Sequence, residues 1–139
     1  MARRTVTVTD PSPSADDAPE FVVAVRALCE FAARSGDLDL RFTPAPTAEQ
    51  GMAGHAQVTA GRGPWYQTEF PLAGRCGPLL VRGRADGWDV EARCLEEIKT
   101  HRGDLSRQGT NQRALHWAQA RVYGWLACER HGLASVELA

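Results

Sequence analysis

Lysine is nearly missing from this chain. Of 16 basic residues, Lys99 alone is lysine and the rest are arginine. Where a position needs only a solvated positive charge, this sequence uses arginine. A lone lysine is then a candidate for work that arginine cannot do, because an ammonium can shift its pKa and pass on a proton while a guanidinium cannot. A codon bias toward arginine would leave the same count by chance. Net charge is also nearly missing, at −1. No global basic field draws in nucleic acid, so any such binding must come from local arginine clusters or a bound cation. The four cysteines, Cys29, Cys76, Cys94 and Cys128, show no CxxC spacing, and in a reducing compartment they read as thiols. There is no run of apolar residues long enough to span a membrane. Met1-Ala2-Arg3-Arg4 leads into polar residues rather than a signal peptide, so the chain reads as cytoplasmic, with no membrane partner.

What is present fits one globular domain. At 139 residues and 43% hydrophobic content, the chain is long and apolar enough to bury a core. Residues 1–19 read as a flexible tail, because Asp10-Pro11-Ser12-Pro13-Ser14 is linker-like, although residues 5–9 alternate as a short strand does. The domain proper is then 20–139. Phe21, Val22, Val25, Leu28, Cys29 and Ala32 fall at helical spacing, which predicts a short extended entry and a helix to about Arg34, with Gly36 at C′. Residues 38–42 alternate as a short strand. Thr47-Ala48-Glu49-Gln50 matches a capping box, so a helix is expected to begin at Thr47 and to carry Gly51, Met52, His55 and Val58. Gly61-Arg62-Gly63-Pro64 ends it. A strand follows over 65–71, a turn over 73–78 and a hairpin over 79–100. Asn111 is a reasonable N-cap for a helix that runs to about His131 and stops at Gly132. Its apolar arc is Leu115, Ala118, Val122, Trp125 and Leu126, with Gln112, Gln119 and Tyr123 on the edge and His116 just beyond. Residues 135–138 begin a further strand at the end of the chain, as in a fragment of a larger protein. The pattern is α/β: a central mixed sheet flanked by helices.

The hairpin carries the chemistry. Leu80, Arg82, Arg84 and Asp86 share one face of its first strand, and Glu97 and Lys99 share a face of its second, about 6.6 Å apart. If the hairpin turns about residues 91 and 92, position 86 lies opposite 97, and cross-strand partners project to the same side. An Asp, a Glu and a Lys then meet on one patch. Two carboxylates that close need a proton or a cation between them, and a divalent metal is the usual resolution. Glu96 falls on the other face by parity. Glu69, on the preceding strand, reads as solvated or arginine-paired. The polar stretch 101–110 leaves directly from the active strand. Its Arg102 and Arg107, with Arg113 beyond, are candidate phosphate contacts, or part of an ordinary solvated connector.

Asp86, a ten-residue gap, then Glu97-x-Lys99 resembles the PD-(D/E)XK nuclease superfamily. Asp86-Gly87 after Gly83-Arg84, and the ending Glu97-Ile98-Lys99-Thr100, resemble its RecB-type branch. That branch includes the CRISPR-associated exonucleases and the nuclease domain at the front of XPD/DinG-like bacterial helicases. The resemblance runs from about residue 25 to about 127. It implies a restriction-endonuclease-like αβββαβ core. It implies that His55, which follows Gly51 as in that branch, ligates metal together with Asp86, Glu97 and the backbone carbonyl of Ile98, and that one or two Mg²⁺ or Mn²⁺ ions bind. Lys99 then orients or deprotonates the attacking water. Gln119-x-x-x-Tyr123 resembles a motif that lies beside the active site and helps position DNA. Some members carry an iron–sulfur cluster, but their closely spaced C-terminal cysteine trio is absent, which argues against a cluster.

The activity implied is metal-dependent hydrolysis of DNA phosphodiesters at ends, single strands or flaps, in DNA repair or recombination, attached to or working with a helicase. A rival from another class is a catalytically inactive DNA-binding module that loads a helicase or partner. A third is a domain that binds metal for stability alone.

Overall fold

A computed structural model describes residues 4–7, 19, 21–34 and 45–139, apart from the side chain of Arg107. The elements are β1 (Arg4–Thr7), β2 (Phe21–Ala24), α1 (Val25–Ala32), α2 (Ala48–Thr59), β3 (Tyr66–Cys76), β4 (Leu79–Asp89), β5 (Cys94–Glu96), a 3₁₀ turn (Leu105–Arg107), α3 (Thr110–His131) and β6 (Ser135–Leu138). From α2 to β6 the order is αβββαβ. The strands form one mixed six-stranded sheet, β1-β6-β5-β4-β2, with β3 also paired to β4. The fold is α/β, a mixed sheet flanked by helices. The strand expected over 38–42 and Gly36 lie outside the described residues. No helix among the described residues is long and apolar enough to cross a membrane.

The N-terminal segment is not all tail. Arg4–Thr7 pairs antiparallel with β6, placing Val6 opposite Val136. Val136 is buried and Val6 packs against the core, so the strand is held by apolar contact as well as by its ladder. Phe21 and Val22, grouped above with a helical face, instead form β2, which runs parallel to β4. The helix that follows starts at Val25 and buries Val25 and Cys29. The strand expected to stop at Pro71 continues to Cys76. Pro71 lacks an amide hydrogen, but among the described residues β3 pairs with β4 alone, so no described ladder bond is lost on its other side.

The local signals for α2 hold. Thr47 caps it: its hydroxyl accepts from the Gln50 amide at 3.2 Å, and the Gln50 side chain accepts from the Thr47 amide at 3.0 Å. α3 ends as expected on left-handed Gly132 but starts at a Gly109 cap rather than at Asn111. It is also rotated from the expected arc. The buried stripe is Gln119, Ala120, Tyr123, Gly124, Leu126, Ala127 and Cys128, while Leu115, Ala118, Val122 and Trp125 are only partly buried. The sheet decides this. Gly83 leaves room that the Tyr123 ring fills; a Cβ there would stand 2.6 Å from the Tyr123 hydroxyl oxygen.

Near the end of β4 both faces of the sheet are covered. Trp88 stacks on Phe70 and on His131. Across the sheet, Gly87 lies under the Tyr66 ring, whose hydroxyl donates to Glu96 Oε2 at 2.8 Å. Arg62 closes the same carboxylate at 2.6 Å. Burial and this partner push the Tyr66 hydroxyl pKa up. Glu96 is therefore held in a structural pair by Arg62 and Tyr66. A Cβ at Gly87 would lie 1.7 Å from the Tyr66 oxygen. Gly87→Ala must displace the ring and break its bond to Glu96, so urea denaturation is expected to show a loss of about 1–3 kcal/mol. Unchanged stability would mean that the ring moves aside freely.

Candidate active site

One edge of β4 belongs to β3 along nearly its whole length. The other edge is shared. β2 occupies it from Leu79 to Arg82, and β5 from Gly87 to Asp89. Between them, residues 83–86 have no described strand on that side. Ala24, the last residue of β2, pairs with Arg82, and Glu96, the last of β5, pairs with Gly87. The carboxyl ends of two strands thus converge on one gap, the kind of crevice where open α/β sheets bind ligands.

The observed pairs, Gly87↔Glu96 to Asp89↔Cys94, have the register the hairpin symmetry gave, and the ladder stops there, one step short of Asp86 and Glu97. Asp86 also lacks its partner on the β3 side. The ladder pairs Thr68↔Gly87 and Phe70↔Ala85 but skips Glu69, which sits at φ 51, left-handed and costly for a non-glycine residue. Freed from the ladder, the Asp86 carboxylate accepts from the Ile98 amide at 2.6 Å.

His55 reaches this point from α2. Its Nε2 lies 3.1 Å from the Ile98 carbonyl oxygen. A carbonyl only accepts, so Nε2 carries the hydrogen and donates. In the neutral ring, Nδ1 then offers a lone pair, 3.6 Å from Asp86 Oδ1. Two acceptors face each other, an arrangement that calls for a cation or a proton between them. The Glu69 carboxylate joins them: ligand atoms of His55, Glu69 and Asp86 all lie within 4.8 Å of one another. Glu69 is paired with Arg84 at 3.4 Å, as its sequence context suggested, yet it also belongs to this cluster.

Glu97 and Lys99 pair with each other, Nζ to Oε1 at 2.5 Å. They line a cavity of about 370 Å³ with Leu115, His116, Gln119 and Tyr123. The Glu97 side chain is only 9% exposed, and Glu97 is not in the three-residue cluster beside it. Burial, with Asp86 nearby, raises its pKa against the lowering pull of Lys99. Its second oxygen is buried without a hydrogen-bond partner, as is Gln119 Oε1. Burial and the Glu97 charge push Tyr123 up to about 12, so its hydroxyl stays protonated as a donor. Of the expected phosphate contacts, Arg102 donates to Gln50 of α2 at 2.7 Å and Arg113 is exposed at the start of α3. The side chain of Arg107 lies outside those described.

Asp86, His55 and the Ile98 carbonyl thus come together. Glu97, Lys99, Gln119 and Tyr123 gather next to them. Sequence reasoning gave Glu69 no ligand role, and it set His116 just beyond the helix edge. With β3 ended at Pro71, the register that sets Glu69 near Asp86 was not in view. The four cysteines form no disulfide. No family model, curated protein or solved structure matches the chain.

His116 gives a pH signature. Burial, followed by Lys99, lowers its pKa from 6.5 to about 4. The unfolded state therefore binds more protons in that window, and the His116 contribution to stability is lost as pH falls from 6.5 toward 4. The raised pKa of Glu97 acts with the opposite sign, since protonation relieves its burial. The comparison of His116→Gln with the parent isolates the histidine. Stability of the variant, followed by urea melts across this window, is expected to fall less steeply with acid than that of the parent. Parallel curves would place His116 in water.

Proposed function

We propose that the chain is a metal-dependent nuclease that hydrolyses DNA phosphodiester bonds, with its active site at the gap between β2 and β5. The observation that carries this reading is the gathering of His55, Glu69 and Asp86, whose ligand atoms lie within 4.8 Å of one another, beside a desolvated Glu97 paired to the only lysine. The donor set suits a divalent cation: one imidazole nitrogen with two carboxylates is a borderline-hard set, which fits Mn²⁺ at least as well as Mg²⁺ with its preference for oxygen alone. His55, Glu69 and Asp86 would hold it, with Glu97 adjacent. A cation there supplies a Lewis acid for the phosphoryl oxygens and offsets charge in the transition state.

The remaining work falls to side chains of this chain. Lys99 lines the cavity, where its ammonium orients the attacking water or, after giving up a proton to solvent, its neutral amine deprotonates that water. Glu97 holds that ammonium in place and itself keeps one oxygen free to accept. The Tyr123 hydroxyl and the Gln119 amide, both nearly enclosed, offer fixed polar contacts to the substrate strand. Work at ends, single strands or flaps in repair or recombination, beside a helicase domain or subunit, follows from the family resemblance alone.

Plasmid nicking with Mn²⁺, with and without EDTA, tests the activity. Lys99→Ala is expected to lower cleavage by about 10²–10⁴-fold, the usual range for a positioned acid–base group. Lys99→Arg is expected to do nearly as badly, since it keeps the charge but cannot give up a proton. Wild-type turnover in the arginine variant would reduce Lys99 to a simple charge. No nicking would favour the inactive DNA-binding alternative, and nicking that persists in EDTA would overturn the metal dependence.

The cluster has its own test. His55→Ala and Glu69→Gln are each expected to weaken Mn²⁺ binding in calorimetric titration by about 10-fold or more, as loss of one ligand does. Unchanged affinity in Glu69→Gln would return that residue to a simple partner of Arg84.

A further inference from the structure

Asp86 shares its face of β4 with Arg84 and Arg82, at every second residue. The arginine face is the one turned away from α3. α3 packs where Gly74 and Gly83 point, since a Cβ on either would meet Leu126 or Tyr123. On the arginine face the neighbours of Arg82 in register are Ala24 of β2 and Ala73 of β3. Arg84 has Pro71 on one side and the open gap on the other. Small side chains thus form a floor from which two long cations rise. Arg130 comes round the edge of β3 from α3, donating to the Pro71 carbonyl and lying 4.8 Å from the Phe70 ring centre. Together they line a groove of about 540 Å³ with no carboxylate among its lining residues. Arg82 and Arg130 are exposed, and the Arg84 side chain is 68% exposed. Three guanidiniums gather on one concave surface in a chain of net charge −1, and one of them, Arg84, has the Glu69 carboxylate as a partner. Arginine in such a setting matches phosphate oxygens with a planar fork of donors.

We propose that this groove binds the phosphodiester backbone of a nucleic-acid strand and leads it along β4, past Arg82 and Arg84, to the His55–Glu69–Asp86 cluster. The proposal rests on the nuclease reading for its direction, but the binding surface is separable from catalysis. It moves the principal phosphate contacts from the 102–113 segment to the face of the sheet turned away from α3. Arg84 links the two regions, since its other partner is Glu69 of the cluster.

The test is fluorescence anisotropy with a labelled single-stranded oligonucleotide in EDTA, where no cleavage occurs, over a series of salt concentrations. Arg82→Ala and Arg130→Ala are each expected to weaken binding several-fold and to lower the salt slope by about one unit. Arg121→Ala, exposed on α3 and outside the groove, serves as the control and is expected to leave both unchanged. Thermal melts of each variant check folding. If the double variant Arg82→Ala/Arg130→Ala binds with parent affinity and slope, or if the parent does not bind the oligonucleotide, the groove is not a nucleic-acid site. Inorganic phosphate competing as well as the oligonucleotide would overturn a strand-binding role in favour of a single-anion site. Mn²⁺-dependent nicking is scored separately. Arginine-dependent binding without nicking would remove the catalytic reading and leave the groove, and nicking with arginine-independent binding would do the reverse.

Discussion

The shared edge of β4 is the constraint on which the site depends. A strand has two edges, and β4 gives one wholly to β3 while dividing the other between a parallel and an antiparallel neighbour. Neither neighbour reaches the middle. The backbone at 83–86 is therefore not committed to a ladder on that side, and the β3 ladder also lapses opposite Asp86, where Glu69 adopts its left-handed turn. A carboxylate at this point is free to turn toward Ile98 and His55 rather than stand out from a regular pleat. Backbone strain at Glu69 and the interrupted pairing at Asp86 coincide at one spot, as is common where structure serves binding rather than stability.

The second element of the site is the enclosed ion pair of Glu97 and Lys99. An isolated carboxylate so nearly out of water would take up a proton; one ammonium at 2.5 Å offsets part of that cost. The compensation is incomplete, because one Glu97 oxygen and the Gln119 carbonyl oxygen remain without donors. Unfilled hydrogen-bonding capacity in a polar cavity is poor economy for a folding core and good preparation for a ligand that brings donors or charge.

Signals confined to a few adjacent residues were legible in the sequence. The capping box at Thr47, the left-handed stop at Gly132 and the hairpin register that pairs Gly87 with Glu96 all depend on local chemistry. What depended on a distant partner was not. β1 and β2 are four-residue strands, hinted at by an alternating stretch and an extended entry, whose places come from pairing with β6 and β4. Pro71 looked like a terminator because its tolerance depends on β3 pairing, among the described residues, with β4 alone. The rotation of α3 is set by glycines across the sheet, and a helical wheel does not contain them. Within the site, Asp86, Glu97, Lys99 and His55 could be named from spacing and resemblance. Glu69 could not, because its approach to Asp86 depends on a register that the misplaced strand end concealed.

α2 buries none of its side chains. It meets the sheet through the site and the residues that follow β5: His55 beside Asp86 and on the Ile98 carbonyl, Gly54 against Thr100, Gln50 on Arg102. The imidazole of the cluster is thus delivered by the helix with the least hold on the core. Linkage then makes cation binding and helix docking two views of one equilibrium. Whatever occupies the space between His55 and Asp86 clamps α2 to the sheet, and whatever pries α2 away discharges the site.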